Sequence, residues 1–194
     1  MKTKGTVLIM LIVLSLSCFA QESEKRFGIE LNSGASVSIK KTDDVTFNPG
    51  FGFEGILHYR FLSHLGVYAG WGWNRFGSEM SFAGNDVCFE ETGYVMGLNF
   101  KHPLGKSKMD YYLRAGALYN HIETENNAGD IINDTKHGWG YQLAGGIAIP
   151  FGNNWSFTPG LKFNSLVRDT EFEGDPKTLF YQYVSVRVGV IKQF

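Results

Sequence analysis

Six ionisable residues share a setting in this 194-residue chain: Glu30, Glu54, Arg60, Arg114, Lys162 and Arg187 lie among glycines and small polar residues where every second residue is apolar. Two acids and four bases so placed can form ion pairs, neutralising groups that are expensive to bury singly. The excess of positive charge also admits a narrow ionic path. Other reactive combinations are sparse. No two of His58, His64, His102, His121 and His137 stand at metal-binding spacing on one strand face. His121 or His137 could activate Thr124 or Thr135, but no recognisable active-site motif surrounds them. No catalytic residue, cofactor or metal set is therefore expected, and the chain reads as a non-enzyme. The glycine-rich stretch 70–77 continues a strand pattern instead of opening a helix, which excludes a phosphate cradle.

The elements that must position the six charges are strands. Successive side chains of a strand point to opposite faces, so alternation of apolar and polar residues is its signature. That alternation predicts eight strands, over 27–39, 49–61, 65–74, 92–102, 111–122, 138–151, 155–165 and 181–194. The last is the clearest: Val184, Val186, Val188, Val190 and Phe194 share one face, with Ser185, Arg187, Gly189 and Gln193 on the other. Connections alternate between short (62–64, 103–110, 152–154) and long (40–48, 75–90, 123–136, 166–180). An even number of strands with short turns at one end and long loops at the other describes an antiparallel up-and-down barrel in a membrane. Both termini then lie at the short-turn end.

Composition agrees. Glycine (24 residues) and aromatics (15%) are plentiful and proline (5) is scarce, which favours pleated surfaces over helices. Lys2 and Lys4, the apolar run from Val7 to Leu16 and the small residues Cys18 and Ala20 read as a secretory leader over 1–20, leaving a barrel domain over 21–194. An alternative makes Cys18 a lipid-attachment cysteine, with Ser15 where such leaders carry an aliphatic residue. Loss of the leader removes two lysines and no acid, moving the formal charge from −1 to −3. Nucleic acid is excluded as a partner on that ground, since binding it depends on neutralising phosphates.

Size decides which face looks inward. The interior of an eight-stranded barrel is only just wide enough to be filled by side chains, so the tryptophan-, tyrosine- and phenylalanine-rich face must look outward. Charge agrees, because a lysine or arginine facing lipid near mid-membrane costs about 2–4 kcal/mol and all six charges lie on the glycine-rich face. Trp71, Trp73, Trp139, Tyr141 and Trp155 then resemble aromatic girdles at the two membrane interfaces. Phe194, after Val186, Val188 and Val190, resembles the carboxyl-terminal assembly signal of outer-membrane barrels. With the phrase Tyr-Arg-Phe-Leu-Ser-His-Leu-Gly-Val-Tyr-Ala-Gly over 59–70, the chain resembles the small eight-stranded outer-membrane barrels of the OmpA and OmpX type. The resemblance implies a bacterial outer-membrane location, a monomer, and as partners the membrane lipids, lipopolysaccharide and the barrel-assembly machinery. It is specific to architecture and weak for function. A structural or cell-surface interaction role around a plugged polar lumen is expected first, narrow porin-like transport second, and lipid-modifying catalysis third. The long connections hold thirteen acids and six bases. They are either ordinary solvated loops or an adhesive, cation-bridged surface, since clustered carboxylates favour hard divalent ions.

Overall fold

Alternation continues through most of the chain as ten antiparallel strands and no helix in the computed structural model, which describes residues 25–40, 45–172 and 174–194. In chain order they are β1 (Phe27–Ser38), β2 (Gly50–Arg60), β3 (Leu65–Ser81), β4 (Gly84–Pro103), β5 (Asp110–Glu125), β6 (Ile131–Asp134), β7 (Gly138–Gly152), β8 (Trp155–Phe157), β9 (Gly160–Phe172) and β10 (Asp175–Gln193). β1 to β5 pair in sequence order, β5 pairs with β7, and β1 pairs with β10 from Gly28↔Gln193 to Ser38↔Tyr183, which closes the sheet. Closure removes the unpaired edges that an open sheet would expose.

Ten strands occupy eight barrel positions. β8 and β9 both lie between β7 and β10; Pro159, which has no amide hydrogen to give the ladder, divides them. The Pro159 carbonyl still accepts from Ile147 N at 3.0 Å, and Thr158 N donates to Gly189 O at 2.8 Å, so the seam holds. β6 lies outside the barrel wall proper. It folds back on the end of β5 through a turn in which Asn126 Oδ1 accepts from the amides of Ala128 and Asp130, both at 2.9 Å.

Two long connections differ from expectation. The stretches 75–90 and 166–180 are paired strand almost throughout, with Arg75↔Glu90, Phe76↔Phe89 and Lys177↔Thr170 in register. Their outward faces turn polar, so the hydrophobic contrast fades while the backbone ladder continues. Among the inward residues there, Phe76, Phe89, Leu166 and Leu179 are large and apolar, while Ser78 and Arg168 are polar. The expected leader over 1–20 lies outside the described residues.

The two faces are sharply different. Val186, Val188 and Phe194 are 61%, 48% and 53% exposed on the outer surface, whereas Ser185 and Arg187, the alternate residues of β10, are buried. A row of outward aromatics, Trp71, Tyr94, Tyr119 and Trp139, runs across four barrel strands in direct register. Tyr141 is exposed near it and packs on Phe163, and Trp73 donates from Nε1 to Glu90 Oε2 at 2.9 Å. Trp155 and Phe194 mark the short-turn end, where the Lys192 ammonium stands 5.4 Å and 5.2 Å from their rings.

Candidate functional site

The interior is a column of polar side chains contributed by nearly every barrel strand. Nearest the short turns, the Glu30 carboxylate receives Arg114 in a forked contact, Nη2 to Oε2 at 2.5 Å and Nη1 to Oε1 at 3.3 Å. Paired parallel N–H···O contacts are the strong geometry for arginine and carboxylate. His58 Nε2 lies 2.9 Å from Glu30 Oε2 and Thr158 Oγ1 donates to Oε1 at 3.3 Å, while Arg114 Nε donates to Asn99 Oδ1 at 3.1 Å. The Arg114 guanidinium also sits 4.5 Å from the Tyr112 ring, a cation–π distance. Tyr112 fits only because two glycines face it: a Cβ on Gly146 or Gly160 would come within 2.6 Å or 2.4 Å of its hydroxyl.

The second layer is Glu54 with Lys162. Lys162 Nζ stands 2.6 Å from Glu54 Oε1, which also accepts from Gln142 Nε2 at 2.9 Å. Tyr68 OH donates to Gln142 Oε1 at 3.3 Å and so joins the group. Both charged side chains are buried, at 6% and 5% exposure.

Arg187 takes another role than carboxylate pairing. Arg187 donates from Nη1 to the Gly52 carbonyl and from Nη2 to Asn74 Oδ1 at 2.9 Å, tying β10 across to β2 and β3. Asn74 Oδ1 also accepts from Ser36 Oγ at 2.7 Å. Arg60 sits at the short-turn rim, where Nη2 donates to the Lys25 carbonyl at 3.1 Å. It lines, with His58, His64, Lys101 and Arg114, a small vestibule of about 50 Å³ at that end.

Two charged members were not among the six. Glu91 is buried and accepts from Tyr183 OH at 2.6 Å and Asn120 Nδ2 at 2.5 Å. Arg168, counted among the loop bases by its position in sequence, is 5% exposed and donates to the carbonyls of Asn120 (3.0 Å), Gly138 (2.5 Å) and Trp139 (2.9 Å). Both lie where the strands outrun their expected ends. The signal was available: Glu91 has the parity of Gly93 and Val95, and Arg168 that of Lys162 and Asn164.

Above the charges the column becomes apolar. Phe76, Phe89, Tyr181 and Tyr183 are almost wholly buried, and Tyr181 OH donates to the Phe89 carbonyl at 3.2 Å. Val45 and Phe47, from the first long connection, pack onto this cluster. The Phe47 ring meets Phe76, Phe89 and Tyr181 edge-on at 5.7, 5.2 and 5.4 Å. Edge-to-face contacts at such distances are favourable beyond the area they bury.

Among the described residues, no hydrogen bond joins His121 or His137 to Thr124 or Thr135. The Thr135 hydroxyl donates to the Lys136 carbonyl at 3.2 Å and accepts from Ile122 N at 2.9 Å. The two imidazoles instead stack on one another, centroids 4.4 Å apart, a juxtaposition that spacing along one strand could not reveal.

The family model described as outer membrane protein beta-barrel domain matches residues 6–190. No curated protein matches the sequence. Among solved structures, Neisserial surface protein A aligns at TM-score 0.60 and 13% identity, covering 87% of this chain and 97% of that one. The E. coli outer membrane protein W aligns at 0.56 and 13%, covering 89% and 100%. The outer membrane protein AlkL aligns at 0.55 and 11%, covering 90% and 94%. At these identities the likeness concerns the fold.

Proposed function

The chain belongs to the outer membrane protein beta-barrel domain family and resides in the bacterial outer membrane, and on that premise we propose that it is a closed, non-conducting barrel that presents extended hairpins at the cell surface. One observation carries this reading: the interior is occupied by paired polar groups and then sealed by the aromatic cluster that Phe47 completes. A solute would have to displace both. The hairpins supply the second half. A membrane crossing needs about 9–11 tilted residues, whereas β4 has 20 and β10 has 19. The surplus projects beyond the outward aromatic row as rigid, paired strand. Presented on a stable base, such hairpins suit a structural or adhesive contact and not a catalytic one.

Membrane lipids and lipopolysaccharide are the surroundings this reading requires, and the barrel-assembly machinery would insert a monomer closed by the β1–β10 seam. Narrow transport is the competing reading, favoured by the vestibule at the short-turn end. The surface role is tested by shortening the last hairpin: deletion of 170–177, beyond the buried Arg168, is expected to leave the barrel folded and to reduce attachment of expressing cells to surfaces. Attachment equal to that of the full-length protein would count against a contact role for this hairpin.

A further inference from the structure

We propose that the outward face of the third hairpin holds a divalent transition ion of the zinc class, bound by His121, Glu123 and Asp134. His121 and Glu123 are two residues apart on β5 and share a face, and Glu123 pairs directly with Asp134 of β6. The donor atoms converge: His121 Nδ1 lies 3.1 Å from Asp134 Oδ1 and 3.7 Å from Glu123 Oε1, and all three are within 4.8 Å of one another. Zinc bonds of about 2.0–2.1 Å in tetrahedral array place ligand atoms about 3.3–3.4 Å apart. The observed separations bracket that edge, so an ion can enter with small side-chain adjustments.

The backbone pre-positions the set. Thr135 N donates to the Ile122 carbonyl at 3.0 Å, Ile122 N donates to Thr135 Oγ1 at 2.9 Å, and Lys136 N donates to Asp134 Oδ1 at 2.9 Å. His137, stacked on His121 at an interplanar angle of 16°, brings a second imidazole beside the set.

Charge along the register gives an independent reason for a cation. Glu90, Glu123 and Asp134 occupy directly paired positions on three adjacent strands, and like charges directly opposite destabilise a sheet. Arg75 relieves one end of the row, 2.8 Å from Glu90 and 3.5 Å from Glu125. An ion between His121, Glu123 and Asp134 would relieve the other. One imidazole with two carboxylates suits zinc-class ions better than calcium or magnesium, which prefer all-oxygen sites. The ion would staple β6 to β5 and hold this hairpin in place.

The test is calorimetric titration of Zn²⁺ into the full-length protein, stripped with chelator in detergent micelles, with Co²⁺ absorption as a second readout. One ion per chain is expected, undisturbed by millimolar Mg²⁺. Partners outside the first coordination sphere are worth about 10–100-fold in affinity, so His121→Ala and Asp134→Asn should each weaken binding at least about tenfold. Glu171→Gln on a neighbouring hairpin should not, and circular dichroism of each variant reports whether the barrel is folded. Absence of binding to folded wild-type protein would overturn the proposal. So would binding that survives both substitutions, or that is lost with His102→Ala, since His64 and His102 also lie close, 4.6 Å between centroids at the short-turn end.

Discussion

Glu54→Ala is expected to lower the unfolding free energy by about 3–5 kcal/mol, the cost typical of removing one partner from a buried ion pair. Lys162 Nζ stands 2.6 Å from Glu54 and is 5% exposed, so the truncation leaves a buried ammonium among Tyr183, Asn164, Gln142 and Glu91 without the carboxylate that pairs with it directly. Gln142 Nε2 loses its acceptor as well. The same argument makes the effect recoverable. A well-packed apolar pair in place of a buried ion pair is often neutral or better, so Glu54→Leu combined with Lys162→Met should recover most of the loss. Urea unfolding of micelle-embedded protein, read as midpoint shifts at constant slope, separates the cases. Single and double variants of equal stability would show that Lys162 does not depend on Glu54.

Phe89→Ala is the second large effect expected, at about 3–5 kcal/mol for a buried phenylalanine. Phe89 is fully buried in the outer cluster, touching Phe47 and Phe82 edge-on at 5.2 Å and 6.2 Å. Deleting the ring removes the floor on which Phe47 rests. Its backbone carbonyl continues to accept from Tyr181 OH, so the defect is a cavity and not a broken strand. Refilling should therefore help: Phe89→Leu is expected to lose far less than Phe89→Ala. The two variants would behave alike, each near wild type in thermal unfolding, if the cluster were loosely packed.

Much of this architecture was legible because barrel strands repeat one simple rule. Alternation through the apolar belt located Glu30, Glu54, Arg114 and Lys162 on a common face, and the pairings among them need only that face and a narrow interior. Two kinds of information were missing from alternation. Where the outward face turns polar, as beyond Trp73 or before Tyr181, contrast between faces vanishes although pairing persists, so Glu91 goes unassigned and Arg168 reads as a loop base. Partner choice was the other. Which carboxylate faces which base depends on the stagger between strands, so Arg187 reaching Gly52 and Asn74, and Arg60 reaching the Lys25 carbonyl, could not be read from parity. The aromatic cap was hidden for a related reason: Phe47 enters it from a connection whose sequence has no period. His121, Glu123 and Asp134 likewise meet only because β6 folds back on β5.

The central claim is that the barrel is closed along its axis, by ion pairs in the middle and aromatic rings at the hairpin end. Planar-bilayer recording of the purified full-length protein tests it most directly. A flat trace with no discrete conductance steps at any applied voltage is the expected result. Reproducible unitary steps from the wild-type chain would contradict it and turn the charged column from a plug into a path.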